Sequence, residues 1–136
     1  WAPAYISQGP NNRTALLRTL HGRFEWRLPD ASANPYLASA AMIAAGLDGI
    51  ERQLEMPAAV DDDLFALSLF EVRQRGIGLL PQSLAEALEA LAADAVVTGA
   101  LGETLTSQFI ALKSAEHTAH ARHVSDWELQ RYAAMF

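Results

Sequence analysis

Arg23, Glu25 and Arg27 alternate with Phe24, Trp26 and Leu28 along one short stretch. In a strand, successive side chains face opposite ways, so the three charged groups share one face and the three apolar groups the other. Two chemistries fit such a face. One is a solvated outer surface with cross-strand ion pairs, the default for a half-buried sheet. The other is a ligand surface, on which two fixed guanidiniums clamp phosphate or carboxylate oxygens and the carboxylate between them holds a divalent cation. Arg13 and Arg18 lie just upstream. That places four arginines within fifteen residues, in a chain with 10 Lys plus Arg and a net charge of -6. The cluster is a local anion site set against the global field. The residue types alone leave both readings open: a phosphate or carboxylate pocket, or a solvated strand face.

The elements that must position these residues are visible in part. Residues 1–12 hold two prolines, a glycine and paired asparagines, which reads as loop. Residues 14–19 and 23–28 read as strands, joined through Leu20-His21-Gly22 as a β-hairpin. Pro29 ends the second strand. Two strands are not a stable sheet, so the hairpin is expected to need partner strands that this chain does not supply. The chain also begins without Met, and the expectation is a piece of a longer protein.

From Asn34 the period becomes helical. Asn34 is an N-cap and Pro35 suits the first turn. The alanine-rich segment Tyr36 to Leu54 places Ile43, Leu47, Ile50 and Leu54 at helical spacing. Asp61-Asp62-Asp63 is expected to head a helix over 64–73. Ser83 with Glu86, and Ser125 with Glu128, spell capping boxes. Between them run a helical piece from Asp94 to Gly102 and an amphipathic helix over 105–122, with Phe109, Ile110 and Leu112 as core candidates. The fold class is α+β. Residues 1–32 carry a loop and an N-terminal β-hairpin, part of a larger antiparallel sheet missing from this chain, and residues 33–136 carry four to six α-helices.

Composition narrows the classes. Hydrophobic residues make up 51% and charged residues 19% of 136 positions, which suits a cored domain and not a disordered tail. There is no basic patch for nucleic acid. The absence of cysteine excludes disulfides and thiolate metal sites, and it fits a cytoplasmic protein. The apolar run from Leu37 to Leu47 falls well short of the roughly 20 residues that span a bilayer. His117, His120 and His123 recur every third residue, but they diverge on a helix and read as a polar face. Asp61-Asp62-Asp63 lacks the glycine and distal glutamate of a calcium loop.

Ordered motifs add a resemblance. Asn12-Arg13-Thr14, Arg18, Arg23-Phe24-Glu25-Trp26-Arg27-Leu28-Pro29-Asp30, Asn34-Pro35-Tyr36-Leu37 and Ala45-Gly46-Leu47-Asp48-Gly49-Ile50 follow one another. Leu80-Pro81-Gln82-Ser83-Leu84 and Val124-Ser125-Asp126-Trp127-Glu128 come later. Together they resemble the C-terminal part of the glutamine synthetase catalytic domain. The resemblance implies an ATP-dependent ligase that joins ammonia to the side-chain carboxylate of glutamate through a γ-glutamyl phosphate. It implies Glu25 as a ligand to Mg2+ or Mn2+, Arg18 and Arg23 on the ATP side, and Arg13 and Arg27 on the glutamate carboxylate and the acyl phosphate. It further implies a cytoplasmic, ring-shaped homo-oligomer with neither nucleic acid nor membrane as partner. Alternatives are a ligase using methylamine or a polyamine, or a non-catalytic helical assembly piece of the same family. Leu20-His21-Gly22 lacks the lysine many members carry there, and no Tyr lies between Tyr36 and Tyr132 for the modification some bacterial members undergo. The wording Asn11-Asn12-Arg13-Thr14 leans toward the branch that includes γ-glutamylmethylamide synthetases. The chain lacks the other family metal ligands and is expected to be inactive alone.

Overall fold

A computed structural model describes residues 2–135. They form two compact units that divide between Gln82 and Ser83. The first holds β1 (Tyr5–Ile6), β2 (Gln8–Pro10), β3 (Leu17–Leu20), β4 (Arg23–Trp26), α1 (Pro35–Glu51), α2 (Leu69–Gln74) and β5 (Gly78–Leu79). The second holds α3 (Leu84–Ala93), α4 (Ala95–Leu101), α5 (Glu103–Ala121) and α6 (Asp126–Tyr132). The α+β class and the glutamine-synthetase-like helical portion stand.

The β3–β4 hairpin turns through His21 and Gly22, with Gly22 at φ 74°, a backbone conformation that costs glycine nothing. Its register pairs Arg18 with Glu25 and Leu20 with Arg23. Both strands are shorter than the alternation suggested, because residues 14–16 are drawn into a loop in which Thr14 and Ala15 are buried.

Residues 1–12 are not loop, as the prolines and asparagines implied. They carry β1 and β2. β1 runs antiparallel to β5, Tyr5 opposite Leu79. β2 runs parallel to β3, Gln8 opposite Leu17 and Pro10 opposite Thr19. The hairpin therefore gains a third strand from within the chain. Parallel neighbours usually need a crossover of about a dozen residues. Here the strands are three and four residues long, so the short return over 11–16 suffices at roughly 3.3 Å per residue. Asn11 starts the reversal at φ 51°, a left-handed conformation that asparagine tolerates.

The first unit closes over a core of Tyr5, Leu64 and Val72, with Val60, Leu67, Ile77 and Leu79 packed on it. The Tyr5 and Phe65 rings meet at 6.1 Å. Segment 57–64 lies against β2: Val60 N–H donates to the Gln8 carbonyl at 2.9 Å, and Gln8 Nε2 donates to the Pro57 carbonyl at 2.8 Å. This approach requires glycine at position 9. A Cβ there would stand 2.1 Å from the Val60 carbonyl oxygen and 3.0 Å from Asn12 Cβ. Gly9→Ala is therefore expected to destabilise by about 1–3 kcal/mol, the usual cost of overpacking, read from the denaturant midpoint. An unchanged midpoint would mean that segment 57–64 does not hold this position.

Asp61-Asp62-Asp63 does not head a helix. Asp63 Oδ1 accepts the Phe65 N–H at 3.0 Å in a turn, and the Val60 and Asp62 carbonyls accept from Asn12. Those bonds hold the backbone open until Ser68, the true cap, whose hydroxyl and Glu71 make a reciprocal capping box. Elsewhere the caps fall where their residues imply. Asn34 Oδ1 accepts from Tyr36 and Leu37, Ser83 accepts from Glu86, Asp94 from Val96 and Val97, and Ser125 pairs with Glu128 in a full box.

In the second unit, α3 and α5 pack with Leu88 and Thr106 buried. Leu112 is not core: it is 66% exposed. The Ile43, Leu47 and Ile50 stripe of α1 is likewise exposed, and α1 has no buried residue. The helical period marks an apolar face, but no described element covers it.

Candidate functional site: an arginine cluster around Glu25

The site is built by three short pieces: β3, β4 and the loop over 11–16. Because Arg18 and Glu25 are direct cross-strand partners, their side chains rise on the same face. Arg18 Nη1 donates to Glu25 Oε2 at 2.9 Å and to Oε1 at 3.2 Å. The pair is half-buried, with side-chain exposures of 18% and 39%. Arg23 and Arg27 flank Glu25 two residues away on either side. The Arg18 hydrogen bond, helped by the charges of Arg18, Arg23 and Arg27, holds the Glu25 carboxyl below the usual carboxylate range. Glu25 is thus an anion at neutral pH inside a ring of cations.

Arg27 continues the ladder past β4, its N–H donating to the Leu16 carbonyl at 3.0 Å. Its Nη1 donates to the Arg13 carbonyl oxygen, which ties the strand to the loop. Arg13 enters the cluster through this carbonyl. Its exposed guanidinium, like that of Arg23, makes no hydrogen bond or ion pair among the described residues. The structure therefore gathers Arg18, Arg23, Arg27 and Glu25 on one face and sets Arg13 at its edge. Two guanidiniums are committed to protein partners and two are open to a ligand.

Three residues whose side chains shape the site carried no role in the sequence reading. Asn12 Nδ2 donates to the Val60 carbonyl at 2.7 Å and the Asp62 carbonyl at 2.9 Å. Asn12 Oδ1 accepts from Thr14 N–H at 2.8 Å and Thr14 Oγ1 at 2.7 Å. Thr14 Oγ1 in turn accepts the Leu64 N–H at 3.2 Å. Arg13 sits between these two buried anchors, so its backbone is fixed while its side chain is free. The third is Asn11, whose Oδ1 accepts from Arg18 Nε at 3.1 Å and from Arg18 Nη2. Asn-Asn is a turn signal, but only the fold shows what these amides reach.

Glu25 supplies carboxylate oxygens, the donors that hard divalent cations prefer. No cluster of three or more His, Cys, Asp or Glu able to hold a metal occurs among the described residues, which leaves His117, His120 and His123 without metal-site geometry. Likewise, no single described helix is long and apolar enough to cross a membrane.

Comparison with known proteins meets this geometry. The family described as glutamine synthetase, catalytic domain, matches residues 1–132. A glutamate–methylamine ligase of Methyloversatilis universalis is 48% identical over 136 residues, covering 100% of this chain and 30% of its own length. Glutamine synthetases of Methanococcus voltae and Thermotoga maritima are 40% and 41% identical over 96% of this chain, and 30% and 31% of theirs. A solved structure described as apo GmaS without ligand superposes with a TM-score of 0.85 at 39% identity, covering 97% of this chain and 30% of that one. The chain thus spans about 30% of the length of the curated relatives it matches. A match that runs from the first residue through α6, together with a strand face of the charge pattern the family motif demands, settles the assignment: the chain belongs to the glutamine synthetase catalytic-domain family.

Proposed function

We propose that this chain forms one wall of the active site of an ATP-dependent ligase that joins glutamate to ammonia or an amine. One observation carries the reading: a Glu25 carboxylate ringed by Arg18, Arg23 and Arg27 on a single strand face, in a chain of net charge -6. Such a ring suits substrates that are themselves anionic. Arg23 is exposed and free to meet nucleotide phosphates, and Arg18 offers them what its protein partners leave. Arg27, with Arg13 at the edge, faces the glutamate carboxylates. An arginine fork fixes a planar oxyanion through two parallel hydrogen bonds, and it stays charged while negative charge shifts between donor and acceptor.

The bonds then balance as follows. A side-chain carboxylate oxygen of glutamate forms a bond to the terminal phosphorus of ATP, and ADP leaves. The amine nitrogen bonds to the acyl carbon, inorganic phosphate leaves, and the nitrogen loses a proton. Catalysis of this kind is mainly positioning and charge stabilisation. Glu25 fits one coordination position of Mg2+ or Mn2+, a cation bound through one or two carboxylates together with substrate phosphates and water. When bound, the cation neutralises phosphate charge. We place the enzyme in the cytoplasm as a ring-shaped homo-oligomer.

A second reading concerns the amine. The relative named a glutamate–methylamine ligase is 48% identical, against 40% and 41% for the two glutamine synthetases. That difference favours methylamine over ammonia. The test is ATP-dependent product formation from glutamate, with ammonia, methylamine and longer amines offered to a protein of the family's full length carrying these residues. Turnover with methylamine above ammonia is expected. Turnover with no amine would overturn the ligase reading, and a preference for ammonia would overturn the second.

A further inference from the structure

We propose that Asn11 is a positioning residue of the nucleotide site, holding Arg18 by one edge of its guanidinium so that the other end is presented to Glu25 and to a phosphate. This rests on the reading of Arg18 as a nucleotide-side residue.

The geometry is specific. A guanidinium carries five N–H donors in a rigid fork. Asn11 Oδ1 accepts from both Nε and Nη2 of Arg18, the side edge of the fork. Glu25 is bound through Nη1 alone. What remains for a ligand is the outer end, between Nη1 and Nη2. An arginine with a free side edge could turn that edge to Glu25 and make a closed bidentate pair, leaving little for phosphate. Asn11 prevents this by occupying the edge first. Arg18 can then serve Glu25 and an incoming anion together.

Asn11 is itself held. It sits at φ 51°, where the chain reverses between β2 and β3, and its N–H donates to the Thr19 carbonyl at 2.9 Å. Few residues combine tolerance of this conformation with a short side-chain acceptor: asparagine and aspartate do, and glycine supplies the backbone without the acceptor. Those three residues make the test.

Asn11→Gly, Asn11→Asp and Arg18→Ala are compared in a protein of the family's full length carrying these residues. Asn11→Gly is expected to raise the KM for ATP about tenfold, the effect of losing one hydrogen bond to a charged group. The KM for glutamate and the melting temperature stay where they were. Asn11→Asp keeps the acceptor and is expected to return the ATP KM to within about threefold. An unchanged ATP KM in Asn11→Gly, beside a raised one in Arg18→Ala, overturns the role given to Asn11. A defect that Asn11→Asp fails to restore does so too, because it reduces Asn11 to a requirement of the loop backbone. An unchanged ATP KM in Arg18→Ala overturns instead the nucleotide-side reading of Arg18.

Discussion

Glu25→Gln is expected to lower kcat on the order of a thousandfold, the scale on which removal of one preorganised charge-stabilising group acts. Glutamine is the informative replacement. It keeps an oxygen that accepts from Arg18 Nη1, now 2.9 Å from Oε2, and so preserves the cross-strand pairing with Arg18. What it removes is the negative charge. If Glu25 merely balances three arginines on a solvated face, that loss is nearly silent, because exposed ion pairs are worth about 0–1 kcal/mol. If it ligates a divalent cation, the Mg2+ concentration for half-maximal rate rises by well over about tenfold. Wild-type turnover at ordinary Mg2+ in the Gln variant would end the metal assignment. The acid side adds a check. The Arg18 hydrogen bond holds the carboxyl below its ordinary range, so the folded form binds its proton less readily than the unfolded one. The resulting stability is present above the unfolded pKa and is lost as pH falls through the lowered folded pKa. Acid unfolding of the Gln variant lacks that contribution, and a rate limb near neutral pH belongs to some other group.

How far the residues alone reach is clear from which features are local. The charged face was legible because alternation from Arg23 to Leu28 and a glycine at the turn are properties of a few adjacent positions. The caps at Asn34, Ser83 and Ser125 were legible for the same reason. β1, β2 and β5 were not. Strands of two or three residues have no period, and Tyr5 finds its partner only at Leu79. Ser68-Leu69-Phe70-Glu71 has the same Ser-x-x-Glu form as the other two boxes, yet the three aspartates upstream offered a competing start. The aspartate segment instead closes a loop whose carbonyls accept from Asn12, a choice made by tertiary hydrogen bonds and not by propensity. The site divides along the same line. Its charges could be read from their spacing. The amides of Asn11 and Asn12 that aim or anchor them act through partners that only the fold brings near.

Arg27→Ala is expected to cut kcat/KM for glutamate on the order of a thousandfold, while the KM for ATP moves little. Two charge-assisted hydrogen bonds to a carboxylate are each worth about 1.5–3 kcal/mol, and both go with the fork. Fold damage should be slight. The backbone bond from Arg27 N–H to the Leu16 carbonyl does not depend on the side chain. The side-chain bond from Nη1 to the Arg13 carbonyl is the structural loss, and it loosens a loop that Asn12 and Thr14 still anchor. Arg27→Lys separates charge from shape. Lysine keeps the cation but is a compact point charge without the planar fork. It is expected to recover no more than about tenfold of the loss. Full recovery by lysine would show that Arg27 supplies only field, as Arg23 does two residues from Glu25 on its other side. A matching rise in the KM for ATP would place Arg27 on the nucleotide and reverse the order of substrates along β4. The strand therefore predicts a polarity: substitutions at Arg23 should register in ATP, those at Arg27 in glutamate, and those at Glu25 in the cation between them.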